Sequence, residues 1–164
     1  MKLNTTATKL ITRTHIALYR RTGGKLGGRY RGSPVLLLTT TGRRSGQRRT
    51  MPLLYIDDGN RKVVAASYLG AEHHPAWYHN LLAQPEVTVQ AGSSVQPMRA
   101  EVADPAERAR LWSPLVAMYP TYDDYQAKTE RQIPVVVLGP KDDSCGHRPG
   151  RRRRHRQGHV AHNP

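Results

Sequence analysis

Tight turns between short apolar runs constrain this fold more than any other feature of the sequence. An apolar, β-branched run over residues 34–41 ends at Gly42, and a second run over residues 50–57 precedes Asp58-Gly59-Asn60. An Asp-Gly pair between two apolar runs is typical of a β-hairpin, so residues 61–68 are expected to return as an antiparallel strand.

The second half of the sequence repeats this pattern. Residues 87–90 and 94–102 are strand-like runs on either side of Ala91-Gly92, and residues 133–138 form a last apolar run. Short strands joined by tight turns, with no regular alternation of strand and helix, favour a barrel or an α+β sheet over a parallel, doubly wound sheet.

Helical segments are predicted between and outside the strands. Residues 74–84 begin with a proline in the first turn and end before Pro85. Asp104 is a predicted N-cap, and the helix behind it is expected to reach about Met118. A short tyrosine-rich helix is expected to follow, to about residue 128.

The N-terminal helix, predicted over residues 5–21, admits two interpretations. Its apolar residues are spaced in a loosely amphipathic way among lysines and arginines. Packing against its own domain is the favoured interpretation, and contact with a membrane surface is the alternative. Glycine pairs at 23–24 and 27–28 predict a flexible connection to the rest of the chain.

Three regions are therefore expected: an N-terminal helix over residues 1–22, one domain over 23–140, and a basic tail over 141–164. The tail has too few apolar residues to order itself and is expected to be disordered. Its Cys145 is the only cysteine, which fits a reducing compartment. No apolar stretch predicts a membrane span or a secretory signal, so a cytoplasmic protein is expected, with association at the inner face of the cell membrane left open.

The charge of the chain points to an anionic partner. The formal net charge is +14, and only seven of the 26 lysines and arginines lie in residues 141–164. The other 140 residues hold 19 basic against 10 acidic residues, so the body is basic in its own right. Nucleic acid, anionic lipid and a phosphorylated ligand all fit this charge. Nucleic acid is disfavoured, because the Arg151–Arg154 run lies in the tail and no nucleic-acid motif is present.

The glycine-bounded loop over residues 42–49, GRRSGQRR, is the sharpest local signal. Its glycines allow several backbone N–H groups to point one way, and arginines suit phosphate oxygens. Phosphate binding and a solvated basic hairpin remain equally open from this loop alone.

Aromatic residues predict a cavity rather than a hydrolytic centre. Tyr119, Tyr122 and Tyr125 recur at three-residue spacing, and three phenol hydroxyls suit a cavity wall better than a dry core. His74 and His79 are five residues apart, which does not place them on one helix face, so no metal site is expected. No nucleophile–base pattern is present, as expected where a cofactor carries out the difficult chemistry.

These segments together resemble the deazaflavin (coenzyme F420)-dependent nitroreductase and quinone reductase family. The resemblance covers about residues 23–140 and is carried by LLLTTTGRRSGQRRTMPLLY (36–55), VVAASYLGAEHHPAWYHNLLAQPEVTVQ (63–90) and MYPTYDDYQAKTERQIPVVVLGP (118–140). It implies a mainly β, α+β fold, a split β-barrel of the flavin-reductase-like type with flanking helices. It also implies hydride transfer from reduced coenzyme F420 to a quinone, a nitroaromatic or a related conjugated acceptor. An FMN-dependent reductase and a non-catalytic cofactor-binding module are the alternatives.

The resemblance further implies roles for individual residues. The residues that hold the anionic phosphate and tail are Arg43, Arg44, Ser45 and Arg49. Those beside the ring are Pro52, Leu53 and Leu54 on one strand, Ala65, Ala66, Ser67 and Tyr68 on its neighbour, and Ala76, Trp77, Tyr78, His79 and Asn80 on the other side. The acceptor pocket and its proton donors are Tyr119, Tyr122 and Tyr125, with Tyr122 also near the ring and Ser67 as a further catalytic residue. Some members carry lysine at the positions of Arg44 and Tyr68, and an aromatic residue at that of Leu54.

Overall fold

The computed structural model describes residues 5–141, with side chains from Lys9 onward; the predicted disordered tail lies almost wholly outside the described residues, as do Cys145 and Arg151–Arg154. The described chain forms four α-helices, eight strands and one 3-10 turn. In chain order they are α1 (Thr5–Thr22), β1 (Arg29–Tyr30), β2 (Ser33–Thr41), β3 (Arg48–Leu54), β4 (Ile56–Asp58), β5 (Arg61–Ala65), the 3-10 turn (Tyr68–Gly70), α2 (Ala76–Ala83), β6 (Glu86–Ala91), β7 (Ser94–Val102), α3 (Pro105–Met118), α4 (Thr121–Ala127) and β8 (Val135–Pro140).

Antiparallel pairing curls the sheet into an almost complete barrel. The strands follow the order β1-β2-β6-β7-β8-β5-β4, and β3 pairs with the other edge of β2. Strands β3 and β4 are separated only by Tyr55, and because β3 pairs with β2 while β4 pairs with β5, this segment brings the two ends of the sheet together. In the described chain β3 pairs only with β2, so the barrel is split between β3 and β5. The expected split β-barrel with flanking helices is confirmed.

The interior of the barrel is filled by alternate residues of the strands. Leu36 and Leu38 point inward from β2 and pack with residues of β5, β6, β7 and β8, as strand periodicity requires. Helix α2 closes this core with Trp77 and Leu81. Helices α3 and α4 cover the outward side of β5 and β8 in a second cluster.

Helix α1 is fixed to the barrel by Tyr19. Its side chain is fully buried, and its hydroxyl donates to the Val35 carbonyl oxygen at 2.8 Å and accepts from the Gly92 N–H at 2.8 Å. Packing of α1 on its own domain, the favoured sequence-based interpretation, is therefore found in the structure.

The structure differs from the sequence-based elements at three places. The strand predicted over residues 50–57 is broken at Tyr55, where the chain passes from pairing with β2 to pairing with β5. The strand predicted over residues 61–68 ends at Ala65, because Tyr68 and Leu69 take positive φ and leave the sheet. Strand β1, which the sequence did not predict, follows the glycine-rich connection and pairs with β2 across a turn at Gly32.

Candidate cofactor and acceptor site

One cleft, of about 530 Å³, occupies the split in the barrel. Residues of β3 form one wall, and the end of β5 with the 3-10 turn forms the opposite wall. The beginning of α2 and the segment around α4 complete it. The predicted site residues that line this cleft are Pro52, Leu53, Leu54, Ala65, Ser67, Tyr68, Ala76, Trp77, Tyr119, Tyr122 and Tyr125.

Four predicted residues lie behind the cleft rather than on its wall. Ala66 and Tyr78 are buried in the interior core, and His79 is half-buried with its ring against Tyr78. Asn80 is buried and braces two elements, since its amide Nδ2 donates to Thr40 Oγ1 at 3.2 Å and its Oδ1 accepts from the Arg43 N–H at 3.1 Å.

Pro52 is tolerated in β3 because it lies on the open edge of this strand. Tyr55 donates its N–H to the Pro34 carbonyl of β2, so the alternation of an antiparallel ladder turns the backbone of Leu53 toward β2 and that of Pro52 and Leu54 away from it. A proline is tolerated on such an edge because its missing N–H leaves no ladder bond unmade. The cleft wall therefore presents free backbone groups and small or apolar side chains, which suit a flat heterocycle with a polar edge.

The basic loop lies at the other end of β3. The Gly42 N–H donates to the Gln47 carbonyl and the Gly46 N–H to the Gly42 carbonyl, both at 2.8 Å, and Gly46 has φ of +66°. These bonds make residues 42–47 a compact turn, and Asn80 ties the turn to α2 through Arg43. Arg43, Arg44 and Ser45 are exposed on this turn and Arg49 is exposed at the start of β3, all of them outside the cleft lining itself.

The charge of this loop is not balanced by carboxylates. In the described chain the ion pairs of lysine and arginine involve Arg61, Lys62, Arg99, Arg110 and Lys141, none of them in the loop. Arg49 instead donates to the Gln47 side chain at 3.0 Å, and Arg48 to Thr88 Oγ1 at 2.6 Å. The loop therefore offers cationic donors to an external anion.

The three tyrosines come together although they do not share one helix. Tyr119 is the C-cap of α3, whereas Tyr122 and Tyr125 belong to α4. Ring centroids lie 5.3 Å apart for Tyr119 and Tyr122, and 6.3 Å apart for Tyr122 and Tyr125. Although the chain breaks at Pro120 between the two helices, the three tyrosine rings thus form one aromatic wall.

Burial changes the acidity of two of these phenols. Burial of Tyr122, with smaller effects from Tyr119 and Tyr125, raises its pKa well above the ordinary value. Burial, followed by the hydrogen bond with Tyr119, raises the pKa of Tyr125 to about 12. Both hydroxyls therefore stay protonated at neutral pH, so each keeps a proton that can be donated in a hydrogen bond.

Sequence reasoning missed several residues of this site. His15 of α1 and Tyr30 of β1 line the cleft beside the tyrosines, and the Tyr30 and Tyr119 rings are 6.4 Å apart. Arg131 lies behind the 3-10 turn and bonds to its flanks. Nothing local in the sequence marks these three, because only the folding of α1 and of the segment after α4 brings them here.

The features expected of a deazaflavin site are therefore present in this chain. An apolar slot with free backbone groups suits the ring, and an arginine loop without carboxylate partners in the described chain, at one end of the same strand, suits an acidic, phosphorylated tail. A family model for F420H(2)-dependent quinone reductases matches residues 11–140.

The chain belongs to the F420H(2)-dependent quinone reductase family. Membership confirms the expected family, an oxidoreductase, and reduced coenzyme F420 as the cofactor. The FMN alternative gains no support from these matches.

Relatives within the family cover most of the chain. One relative is named as an F420H(2)-dependent quinone reductase of Mycobacterium tuberculosis (strain ATCC 25618 / H37Rv). It is 46% identical to this chain over 118 residues, which are 71% of this chain and 99% of the relative. An F420H(2)-dependent quinone reductase from the same strain is 41% identical over 132 residues, 78% of this chain and 89% of its own length.

Solved structures support the fold. The F420-H2 dependent reductase FDR-A is 40% identical with a TM-score of 0.61, covering 64% of this chain and 93% of its own. A second structure, described as a domain-swapped dimer, is 34% identical with a TM-score of 0.63 and covers 80% and 98% of the two chains. No helix in the described part of the chain has the length and hydrophobicity needed to cross a membrane.

Proposed function

We propose that this chain reduces quinones and nitroaromatic compounds in the barrel cleft by hydride transfer from reduced coenzyme F420, within a cofactor-binding domain formed by residues 23–140. The observation that carries the proposal is the split itself. The cleft runs beside the second half of β3, between an arginine loop that precedes this strand, without carboxylate partners among the described residues, and a tyrosine wall beyond its end.

Strand β3 sets the spacing between the arginine loop and the tyrosine wall. Arg49 and Leu54 are five residues apart on an extended strand, which corresponds to about 17 Å at about 3.3 Å per residue. Arg43, Arg44, Ser45 and Arg49 would hold the phosphate and tail at one end. The ring would lie between β3 and the Ala65–Tyr68 segment, with Ala76 and Trp77 closing the slot.

The bound cofactor supplies the hydride, and the protein supplies position and electrostatics. A quinone that accepts a hydride develops negative charge on an oxygen, and it needs one proton to become the hydroquinone. Neutral Tyr122 and Tyr125 hydroxyls, and the Ser67 hydroxyl, would be hydrogen-bond donors to such an oxygen, since all three residues line the cleft. Because the raised pKa values of the two tyrosines make them weak acids, they would stabilise the oxyanion by hydrogen bonding while water or solvent-exposed groups deliver the proton.

The turnover experiment mixes the purified protein with reduced coenzyme F420 and menadione, and follows the return of the visible absorbance of the oxidised cofactor. The expected result is turnover with menadione and also with a nitroaromatic acceptor, whatever the ratio of the two rates. Binding of the cofactor without turnover of any quinone or nitro acceptor would leave the non-catalytic module as the better description.

Matched phenylalanine variants test the tyrosine wall. Tyr122→Phe removes a hydroxyl at the cleft and is expected to lower kcat/KM for menadione by about 10-fold or more, a typical effect of losing one transition-state hydrogen-bond donor. Tyr55→Phe is the control, since Tyr55 is half-buried outside the cleft lining. Equal activity of the two variants would remove Tyr122 from the proposal.

A titration tests the arginine loop. Arg44→Ala is expected to weaken binding of coenzyme F420 by about 10-fold, as the loss of one charge-assisted contact predicts, and to leave binding of a deazaflavin without phosphate and tail unchanged. Arg99→Ala is the control for net charge, because Arg99 lies on β7 with Glu101 as its ion-pair partner. FMN in the same titration is expected to bind more weakly than coenzyme F420.

We also propose that α1 can rest on an anionic membrane surface. Leu10, Ile11 and Leu18 are 65%, 61% and 43% exposed and fall within about 100° of one another around the helix axis. Exposed Lys9, Arg13 and Arg20 lie along one side of this stripe, and exposed Arg21 lies within it. A basic helix with an apolar stripe is suited to a headgroup region.

Co-sedimentation with vesicles tests this contact. The protein is expected to sediment with phosphatidylglycerol-containing vesicles and much less with neutral ones. Leu10→Ser with Ile11→Ser should reduce that binding, while Leu82→Ser, an exposed leucine of α2, should not. Equal recovery of all variants with the vesicles would remove α1 as the contact.

A further inference from the structure

Arg131 makes five side-chain hydrogen bonds, all to residues beside the 3-10 turn or just before α2. Its Nε donates to the Ala71 carbonyl at 2.7 Å, and its Nη2 donates to the Ser67 carbonyl at 2.8 Å. Both terminal nitrogens also reach the Ala66 carbonyl at 3.3 Å. One guanidinium therefore ties together the carbonyl groups on both sides of the 3-10 turn.

The turn that Arg131 holds is strained. Tyr68 and Leu69 have φ of +45° and +57°, in the left-handed region that non-glycine residues rarely occupy. Strain of this kind persists only where the surroundings over-determine it, and it concentrates at functional sites. Tyr68 and Leu69 both line the cleft, so the strained segment is part of its wall.

Arg131 also reaches the other wall of the slot. Its Nη1 lies 3.1 Å from Nδ1 of His74, just before α2, which contributes Ala76 and Trp77 to the cleft. Because a guanidinium can only donate, Nδ1 of His74 is the acceptor and its proton is on Nε2. The guanidinium thus fixes the distance between the strained turn and α2.

The turn connects to the tyrosine wall as well. A side chain at Gly70 would meet the Tyr125 carbonyl at 2.8 Å, so only glycine allows the turn to lie this close to α4. A shift of the turn would therefore change the ring slot and disturb the tyrosines beside it.

We propose that Arg131 is a positioning residue that sets the width of the ring slot, by holding the strained turn and the start of α2 together. This inference rests on the proposed function, because it assigns to Arg131 a role in binding the deazaflavin ring. The role concerns the ring and not the tail, because Arg131 donates to backbone carbonyls and to His74 while the basic loop lies at the far end of β3.

Lysine cannot replace this arginine. An ammonium keeps the charge, but it lacks the planar fork that reaches three carbonyls and an imidazole at once. Arg131→Lys is therefore expected to relax the turn without changing the net charge of the protein. Arg108→Lys is the matched control, because Arg108 is also part-buried and donates to a backbone carbonyl, that of Ile133, away from the turn.

The experiment titrates wild type, Arg131→Lys and Arg108→Lys with oxidised coenzyme F420 and with a deazaflavin that lacks phosphate and tail, followed by ligand fluorescence. Arg131→Lys is expected to weaken both ligands by about 10-fold, the scale set by losing one or two charge-assisted hydrogen bonds, and Arg108→Lys by less than about 2-fold. Adding Leu69→Gly to Arg131→Lys is expected to restore part of the affinity, because glycine relieves the strain that the guanidinium offsets. A residue important only for overall stability would show no such rescue.

The outcomes separate this inference from the proposed function. Normal binding of both ligands by Arg131→Lys, with wild type binding them, would overturn the role of Arg131 and leave the proposed function intact. Absence of binding by wild type would overturn both. If Arg131→Lys does not fold, His74→Ala decides: a loss of about 3-fold for both ligands supports the bridge between turn and helix, and wild-type affinity refutes it.

Discussion

Replacing Tyr19 with phenylalanine is expected to loosen α1 from the barrel at a predictable cost. The ring is fully buried and would stay in place, so the change removes one oxygen and little else. That oxygen donates to the Val35 carbonyl and accepts from the Gly92 N–H, at 2.8 Å each. Both backbone groups lose their partner at once.

The magnitude follows from these two bonds. A typical hydrogen bond contributes about 1 kcal/mol net, and a buried group left without a partner costs about 1–3 kcal/mol. Since Val35 is buried and Gly92 is half-buried, we expect a loss of about 2–3 kcal/mol in the free energy of unfolding. For a chain of this size that corresponds to a decrease in Tm of about 5–10 °C.

Urea unfolding measures the effect, with the midpoint expected to fall and the m-value to stay constant. Tyr55→Phe is the control, since Tyr55 is only half-buried and its ring keeps its contact with Lys62 without a hydroxyl. Because His15 of the same helix lines the cleft, the Tyr19 variant is also expected to raise the KM for the acceptor. A loss below about 0.5 kcal/mol, the usual range of surface substitutions, would refute the view that this hydroxyl anchors α1.

Three further predictions concern local features. Asp104→Ala is expected to cost about 1 kcal/mol in urea unfolding, because the carboxylate caps the first turn of α3 with a 2.8 Å hydrogen bond. Burial, with Arg131 and then His79 as smaller effects, lowers the pKa of His74, so the unfolded state takes up this proton first. Stability should therefore decrease as pH falls below about 6.5 toward the lowered folded value, and His74→Gln should make this dependence shallower in urea midpoints at pH 7.5 and 5.5. Gly27→Ala should destabilise more than Gly32→Ala in thermal melts: both positions have positive φ, but only at Gly27 would the new carbon meet the His15 ring, at 2.5 Å.

The order of strands and helices was predictable because it depends on local chemistry. The turn at Asp58-Gly59-Asn60, the cap at Asp104 and the apolar alternation of the strands each act over a few residues, and each is found in the structure. The arginine loop and the tyrosines were also marked by composition alone. Their roles in binding remain predictions.

Other features depend on contacts between distant segments. The break at Tyr55 is not visible in the sequence, because it arises where one strand changes partners from β2 to β5. The positive φ at Tyr68 and Leu69 contradicts their residue types, and it coincides with hydrogen bonds from Arg131, more than 60 residues later.

The sequence by itself therefore determined most of the elements of this protein, its basic loop and its aromatic segment, since periodicity, turn chemistry and charge are local properties. Only the tertiary structure decided where the barrel opens and which residues meet there. Strand pairing and the folding of α1 bring His15, Tyr30 and Arg131 to a cleft that no local pattern describes, because proximity in space does not depend on proximity along the chain.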